Sequence, residues 1–78
     1  MDLEEFYRTK VKPLVLEGLS VLHISNDDGS VEFWKKRANL FDLALLCIDA
    51  YVYDTRRVDM ELNTLKEFVE GLKGGDKK

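Results

Sequence analysis

Apolar residues recur at helical intervals in three segments of this 78-residue chain. The middle segment, over residues 31–56, has the most regular pattern. Its residues 40–53 are apolar on nearly every side, with only two aspartates among them. An alternating spacing of three and four residues, typical of a line along one helix face, defines a set that we call the seam: Val31, Trp34, Ala38, Phe41, Leu45, Ile48 and Val52. The pattern predicts a long central helix.

The first segment predicts a helix over residues 2–24. Asp2 and Glu5 have the spacing of a capping box, which begins a helix. Pro13 interrupts the apolar pattern, because its nitrogen cannot donate a hydrogen bond and its ring clashes with the preceding turn. We expect one kinked helix rather than two helices. Gly18 is either a point of close packing or the C-terminal stop of this helix.

The last segment predicts an amphipathic surface helix over residues 59–73, with Asp59 as a candidate cap. A pair of glycines follows this segment and is expected to end the helix. The chain is about half the usual domain length. We therefore expect residues 1–73 to form a single helical domain and residues 74–78 to form a flexible tail.

The three segments predict an all-α fold, a three-helix bundle built from a helix-loop-helix and a C-terminal helix. The sequence Asn-Asp-Asp-Gly-Ser at residues 26–30 is the strongest turn signal in the chain. An α+β alternative keeps the helices but places a short hairpin at residues 20–34, with strands at 21–25 and 30–34. We favour the helices, because an isolated two-stranded hairpin is only marginally stable.

The central helix is too apolar for so small a chain to bury. A helix that is apolar on all sides is normally buried on all sides, and two neighbouring helices leave one face uncovered. We expect a second copy to cover that face, so that homodimerisation completes the bundle; a different protein partner is the alternative. The expected interface consists of every seam residue except Ala38: Val31, Trp34, Phe41, Leu45, Ile48 and Val52.

The composition of the chain limits the classes of partner that it can bind and indicates its cellular compartment. Twelve basic and fifteen acidic residues give a net charge of −3, which disfavours binding to nucleic acid or to anionic membranes. No apolar run approaches the roughly 20 residues that a membrane span needs, and we expect no export leader, because the first segment lacks the basic and apolar pattern of one. A single cysteine indicates a reducing, cytoplasmic location. The absence of glutamine beside many charged residues is typical of thermophilic proteins.

A charged row beside the seam is a candidate polar site. Lys35, Asp42, Asp49 and Arg56 recur every seven residues, and Asp54 lies near the end of the row. The favoured interpretation is ion pairing at the helix surface or at the dimer interface. The alternative is a small helical metal-dependent hydrolase, with magnesium held by the three aspartates.

The basic cluster Lys35-Lys36-Arg37 lies beside Trp34 and is a candidate anion contact. It would suit a small nucleic-acid-associated regulator, in which basic and aromatic side chains contact phosphates and bases. The favoured interpretation is a solvated charged edge, because residues 38–53 contain no basic residue and the net charge is negative.

We predict no catalytic residue, no metal site and no cofactor. His23 is the only histidine, and a metal site needs several ligands. Cys47 lies in an apolar run without a basic residue within four positions, so we expect an inert core thiol. The turn at residues 26–30 resembles part of a calcium loop but lacks the carboxylates at both ends of that motif. The leading hypothesis is a non-catalytic protein-interaction or scaffold module that self-associates.

Overall fold

A computed structural model describes residues 2–25 and 31–74, which form an all-α bundle of three helices. The first helix is continuous and has three parts, which are α1 (Leu3–Phe6), a π-helical turn (Tyr7–Val11) and α2 (Lys12–Ser25). The central helix is α3 (Val31–Tyr53). A 3-10 turn (Thr55–Arg57) then leads into α4 (Val58–Gly74). The predicted all-α class is confirmed.

The hairpin alternative is wrong for every described residue of its two strands. Residues 21–25 end α2, and residues 31–34 begin α3. The helical spacing of apolar residues continues through both stretches, and it decides their structure over the β-propensity of single valines and isoleucines. Of the predicted tail 74–78, Gly74 is the last residue of α4. Residues 75–78 and the turn signal at 26–30 lie outside the described part of the chain.

The central helix ends three residues earlier than predicted. Asp54 leaves the helical region, with φ −155° and ψ 82°, and its carbonyl accepts a hydrogen bond from the Arg57 N–H at 2.9 Å. Aspartate is a poor residue for a helix interior, because its side chain competes for nearby hydrogen bonds. The 3-10 turn carries the chain directly into α4, so Asp59 lies in the first turn of α4 and does not cap it.

The first helix begins and bends where the sequence indicates. Asp2 accepts a hydrogen bond from the Glu5 N–H at 2.8 Å, which confirms the predicted cap. The distortion expected at Pro13 takes the form of the π-helical turn Tyr7–Val11, immediately before it. In a regular α-helix the proline ring would press on the carbonyl of Thr9. A wider π turn is one of the known ways in which a helix accommodates such a clash.

The first helix and α3 approach closely at Gly18. An ideal Cβ placed on this residue would lie 2.8 and 2.9 Å from the two terminal methyl groups of Leu40, which is fully buried. Because α2 continues to Ser25, Gly18 is a point of close packing and not a helix stop. The core around this contact contains Phe6, Val11, Val15, Leu22, Phe33, Leu40, Ala44, Cys47, Leu65 and Val69.

Two ion pairs of α4 stabilise its position. Arg57 donates to the buried carboxylate of Glu61 at 2.6 Å, so this charge is neutralised where it leaves water. Near the other end of α4, Lys73 pairs with Glu17 of α2 at 2.6 Å. The resulting hydrogen bond raises the pKa of the lysine. The second pair joins helices that are far apart in sequence, although it is half exposed and contributes little free energy.

Gly18→Ala should destabilise the protein by about 1–2 kcal/mol. The new methyl group would overlap Leu40, and the free-energy cost of that overlap exceeds the gain in helix propensity. Gly71→Ala is the matched control. Its Cβ meets nothing within 4 Å, so the same substitution should stabilise α4 by about 0.5–1 kcal/mol. Urea unfolding followed by circular dichroism at one protein concentration measures both. Equal effects at the two glycines would contradict the close contact.

Candidate functional site

The seam lies on the outer side of α3. Four of its apolar side chains are largely exposed: Val31 by 70%, Trp34 by 53%, Leu45 by 62% and Val52 by 49%. Phe41 and Ile48 are half-buried, and Ala38 is exposed. Of the six residues predicted to form an interface, four are thus exposed, and Phe41 and Ile48 lie at the border with the core, against which Phe41 packs.

The core side of α3 is a different face of the same helix. Its buried residues are Phe33, Leu40, Ala44, Cys47 and Ala50. Since successive residues turn by about 100°, these positions lie roughly 120° around the helix from the middle of the seam. The central helix thus has two apolar faces, and the other described helices cover only one of them.

An arginine covers the aromatic part of the seam. The guanidinium carbon of Arg37 lies 5.4 Å from the ring centroid of Trp34 and 4.9 Å from that of Phe41. The Trp34 ring also meets Phe33 edge-on, with centroids 5.0 Å apart. These cation–π and aromatic contacts restrict the motion of large side chains on an exposed surface. The aromatic end of the seam is therefore packed against Phe33 and Arg37 within the single chain.

The geometry of α3 separates the three side chains of the predicted anion contact. Lys35 is exposed, whereas Lys36 and Arg37 are half-buried. Three consecutive residues of a helix point in directions about 100° apart, so they do not form one basic surface. The Arg37 guanidinium already lies over two rings. Binding of an anion by this cluster stays a prediction.

The charged row forms one edge of the seam. Lys35, Asp42 and Asp49 are exposed along α3. Arg56 lies beyond the end of α3, and its Nε pairs with Asp54 Oδ1 at 3.2 Å. Within residues 2–25 and 31–74, no group of three or more His, Cys, Asp or Glu residues is arranged to hold a metal ion. The three aspartates proposed for magnesium are thus not brought together.

Cys47 is a fully buried free thiol on the core side of α3. Burial is the main reason that its pKa is raised to about 11, and the negative charge of Glu61 raises it further. The thiol is therefore protonated near neutral pH and weakly nucleophilic, as an inert core residue should be. His23 is exposed, with its ring centroid 5.5 Å from that of Phe33.

Sequence reasoning missed a cleft of about 350 Å³ where the first helix meets the junction of α3 and α4. The rings of Phe6 and Tyr51 stack there, with centroids 4.2 Å apart. No local motif could reveal the cleft, because its lining converges from four elements. The lining residues are Phe6, Lys10, Tyr51, Thr55, Val58, Asp59 and Leu62.

Comparison with known proteins identifies no relative. The chain matches no model of a protein family, no curated protein and no solved structure. Within the described ranges 2–25 and 31–74, no helix combines the length and the apolar character needed to cross a membrane.

The Cys47 thiol should resist Ellman's reagent at pH 8 in the folded protein and react fully in guanidinium chloride, because it is buried and protonated. A Cys added by Met60→Cys, at a position that is 56% exposed on α4, should react within seconds and serves as the control. Equal rates for the two thiols in the folded protein would contradict the burial of Cys47.

Proposed function

We propose that this chain is a non-catalytic interaction module that forms a homodimer through the seam. One observation carries the proposal: the central helix presents a line of seven apolar side chains, of which five are exposed and two, Phe41 and Ile48, are half-buried. From Val31 to Val52 this line is about 32 Å long, at 1.5 Å per residue. Contiguous apolar surface of this kind marks interaction sites in soluble proteins.

Spacing distinguishes the seam from the other exposed apolar residues. On the other helices the exposed apolar residues are scattered, which is normal on a protein surface: Leu3, Tyr7, Leu16, Ile24 and Met60. On α3 itself, Leu46 and Tyr53 are exposed beyond the charged edge and outside the seam repeat. The seam instead has the 3-4 repeat that lets two helices pack along their whole length. Each Å² of apolar surface covered there contributes about 25 cal/mol.

The size of the chain supports the same proposal. A domain of 78 residues buries a smaller fraction of its surface than a larger domain, and its stability is correspondingly marginal. The described chain has neither a disulfide nor a metal cluster to add stability. Association of two copies supplies additional burial by mass action. In this proposal the dimer works in the reducing cytoplasm, where a lone thiol persists.

Leu45→Glu should convert the dimer into a folded monomer. Leu45 is in the middle of the seam and mostly exposed in the single chain, so a glutamate there costs little until a second copy must bury it. Sedimentation velocity should give about twice 9.0 kDa for the unmodified chain and about 9.0 kDa for the variant. Circular dichroism checks that the helices remain.

Met60→Glu is the control, because Met60 is comparably exposed but belongs to α4. It should leave the dimer intact. The proposal fails if Leu45→Glu leaves the mass unchanged, or if Met60→Glu dissociates the dimer equally well.

A further inference from the structure

We infer that the two copies pack antiparallel along α3, with the two-fold axis crossing the helices at the level of residue 43. This inference rests on the proposed function, because it assumes that the seam is the dimer interface. It specifies which residues meet: Trp34 faces the partner's Val52 and Lys35 faces the partner's Asp49. Three properties of the described face lead to it, namely side-chain size, helix length and the placement of charge.

Side-chain size favours the antiparallel orientation. The bulky Trp34 and Phe41 flank the small Ala38 on the seam. In a parallel pair each residue would meet its own copy, so large rings would oppose large rings and alanine would oppose alanine. Well-packed interfaces instead alternate large and small side chains across facing positions. Only an antiparallel pair achieves this with one sequence.

Helix length sets the register. Two antiparallel copies of Val31–Tyr53 overlap most fully when residues whose numbers sum to about 84 lie opposite each other. The 3-4 spacing divides the seam into two sets of positions, which are 31, 38, 45 and 52 in one set and 34, 41 and 48 in the other. The nearest register in which each set faces the other set of the partner has a sum of 86. It overlaps residues 33–53, and its facing pairs, each formed twice, are Trp34 with the partner's Val52, Ala38 with the partner's Ile48, and Phe41 with the partner's Leu45.

Charge placement favours contact between the charged edges of the two copies. Lys35, Asp42 and Asp49 all lie on one edge and are exposed. The other edge carries Arg37, whose guanidinium lies over the Trp34 and Phe41 rings, and then two packed residues: Ala44, which is buried, and Tyr51, whose ring stacks on Phe6 of the first helix. A two-fold axis perpendicular to α3 brings the charged edges of both copies together. A parallel pair would place the partner's Asp49 against the packed residues Ala44 and Tyr51, where it loses hydration, and the partner's Asp42 near Arg37, whose guanidinium already lies over two rings.

On the charged edge, this register gives ion pairs and one repulsion. Lys35 faces the partner's Asp49 twice, which is favourable. The two copies of Asp42 face each other across the axis, which is unfavourable. Asp42→Asn should therefore tighten the dimer about two- to fivefold, and Asp49→Asn should loosen it by a similar factor. Sedimentation equilibrium at low ionic strength measures both dissociation constants.

Disulfide trapping tests orientation. In the double variant Ala38→Cys/Ile48→Cys, mild oxidation should yield a covalent dimer on a non-reducing gel. Within one chain these positions are ten residues and about 15 Å apart on a helix, too far for an internal bond. The single variants Ala38→Cys and Ile48→Cys should remain uncrosslinked, because each new thiol would lie equally far from its own copy. Native Cys47 is fully buried and does not interfere.

Each contrary result has a distinct meaning. If the single variants crosslink in a protein that sediments as a dimer, the helices are parallel; the inference fails and the proposed function stands. If Asp42→Asn loosens the dimer, Asp42 faces the partner's Lys35, and the register is wrong by one heptad. If no variant crosslinks but Leu45→Glu still dissociates the dimer, the seam is used in another register, and only the inference fails. A dimer that neither crosslinks nor responds to Leu45→Glu uses another face, and a sedimenting monomer has no interface; either result overturns both the inference and the proposed function.

Discussion

Two apolar faces on one helix are the constraint from which the other features of this protein follow. α3 uses Leu40, Ala44 and Cys47 to hold the bundle together, and it also carries the seam on a separate face. Two other helices suffice to cover the first face only. The hydrophobic effect acts equally on both, so the uncovered seam is a source of free energy for association and a source of aggregation if it stays uncovered.

The remaining helices pack against the core side of α3. Gly18 removes a side chain where the first helix crosses Leu40, and the π-helical turn before Pro13 lets that helix continue despite the proline. Arg57 neutralises the carboxylate of Glu61 beside the core, so α4 packs without an unpaired buried charge. These contacts orient α3 with its seam outward. The function that we propose is thus a consequence of how the core is built.

Features that depend on neighbouring residues could be predicted from the sequence, whereas features formed by residues far apart in the chain could not. The cap at Asp2, the distortion at Pro13 and the helical course of the seam depend on neighbours within about five positions, and the structure has all three. The end of α3 at Asp54 was not predicted. An apolar run precedes this residue and two arginines, which favour a helix C-terminus, follow it, and together they outweighed one residue with low helix propensity. The cleft beside Phe6 depends on the packing of four elements and leaves no local signal.

The most direct test of the central claim is intermolecular NMR on a mixture of isotope-labelled and unlabelled chains. Filtered NOE spectra detect only contacts between different copies. If two copies meet through the seam, cross-chain NOEs should arise from the Trp34 ring and from the Leu45 and Val52 methyl groups, and none from Met60 on α4. Cross-chain NOEs confined to another face, or their complete absence in a sample that tumbles as a 9.0 kDa particle, would contradict the account.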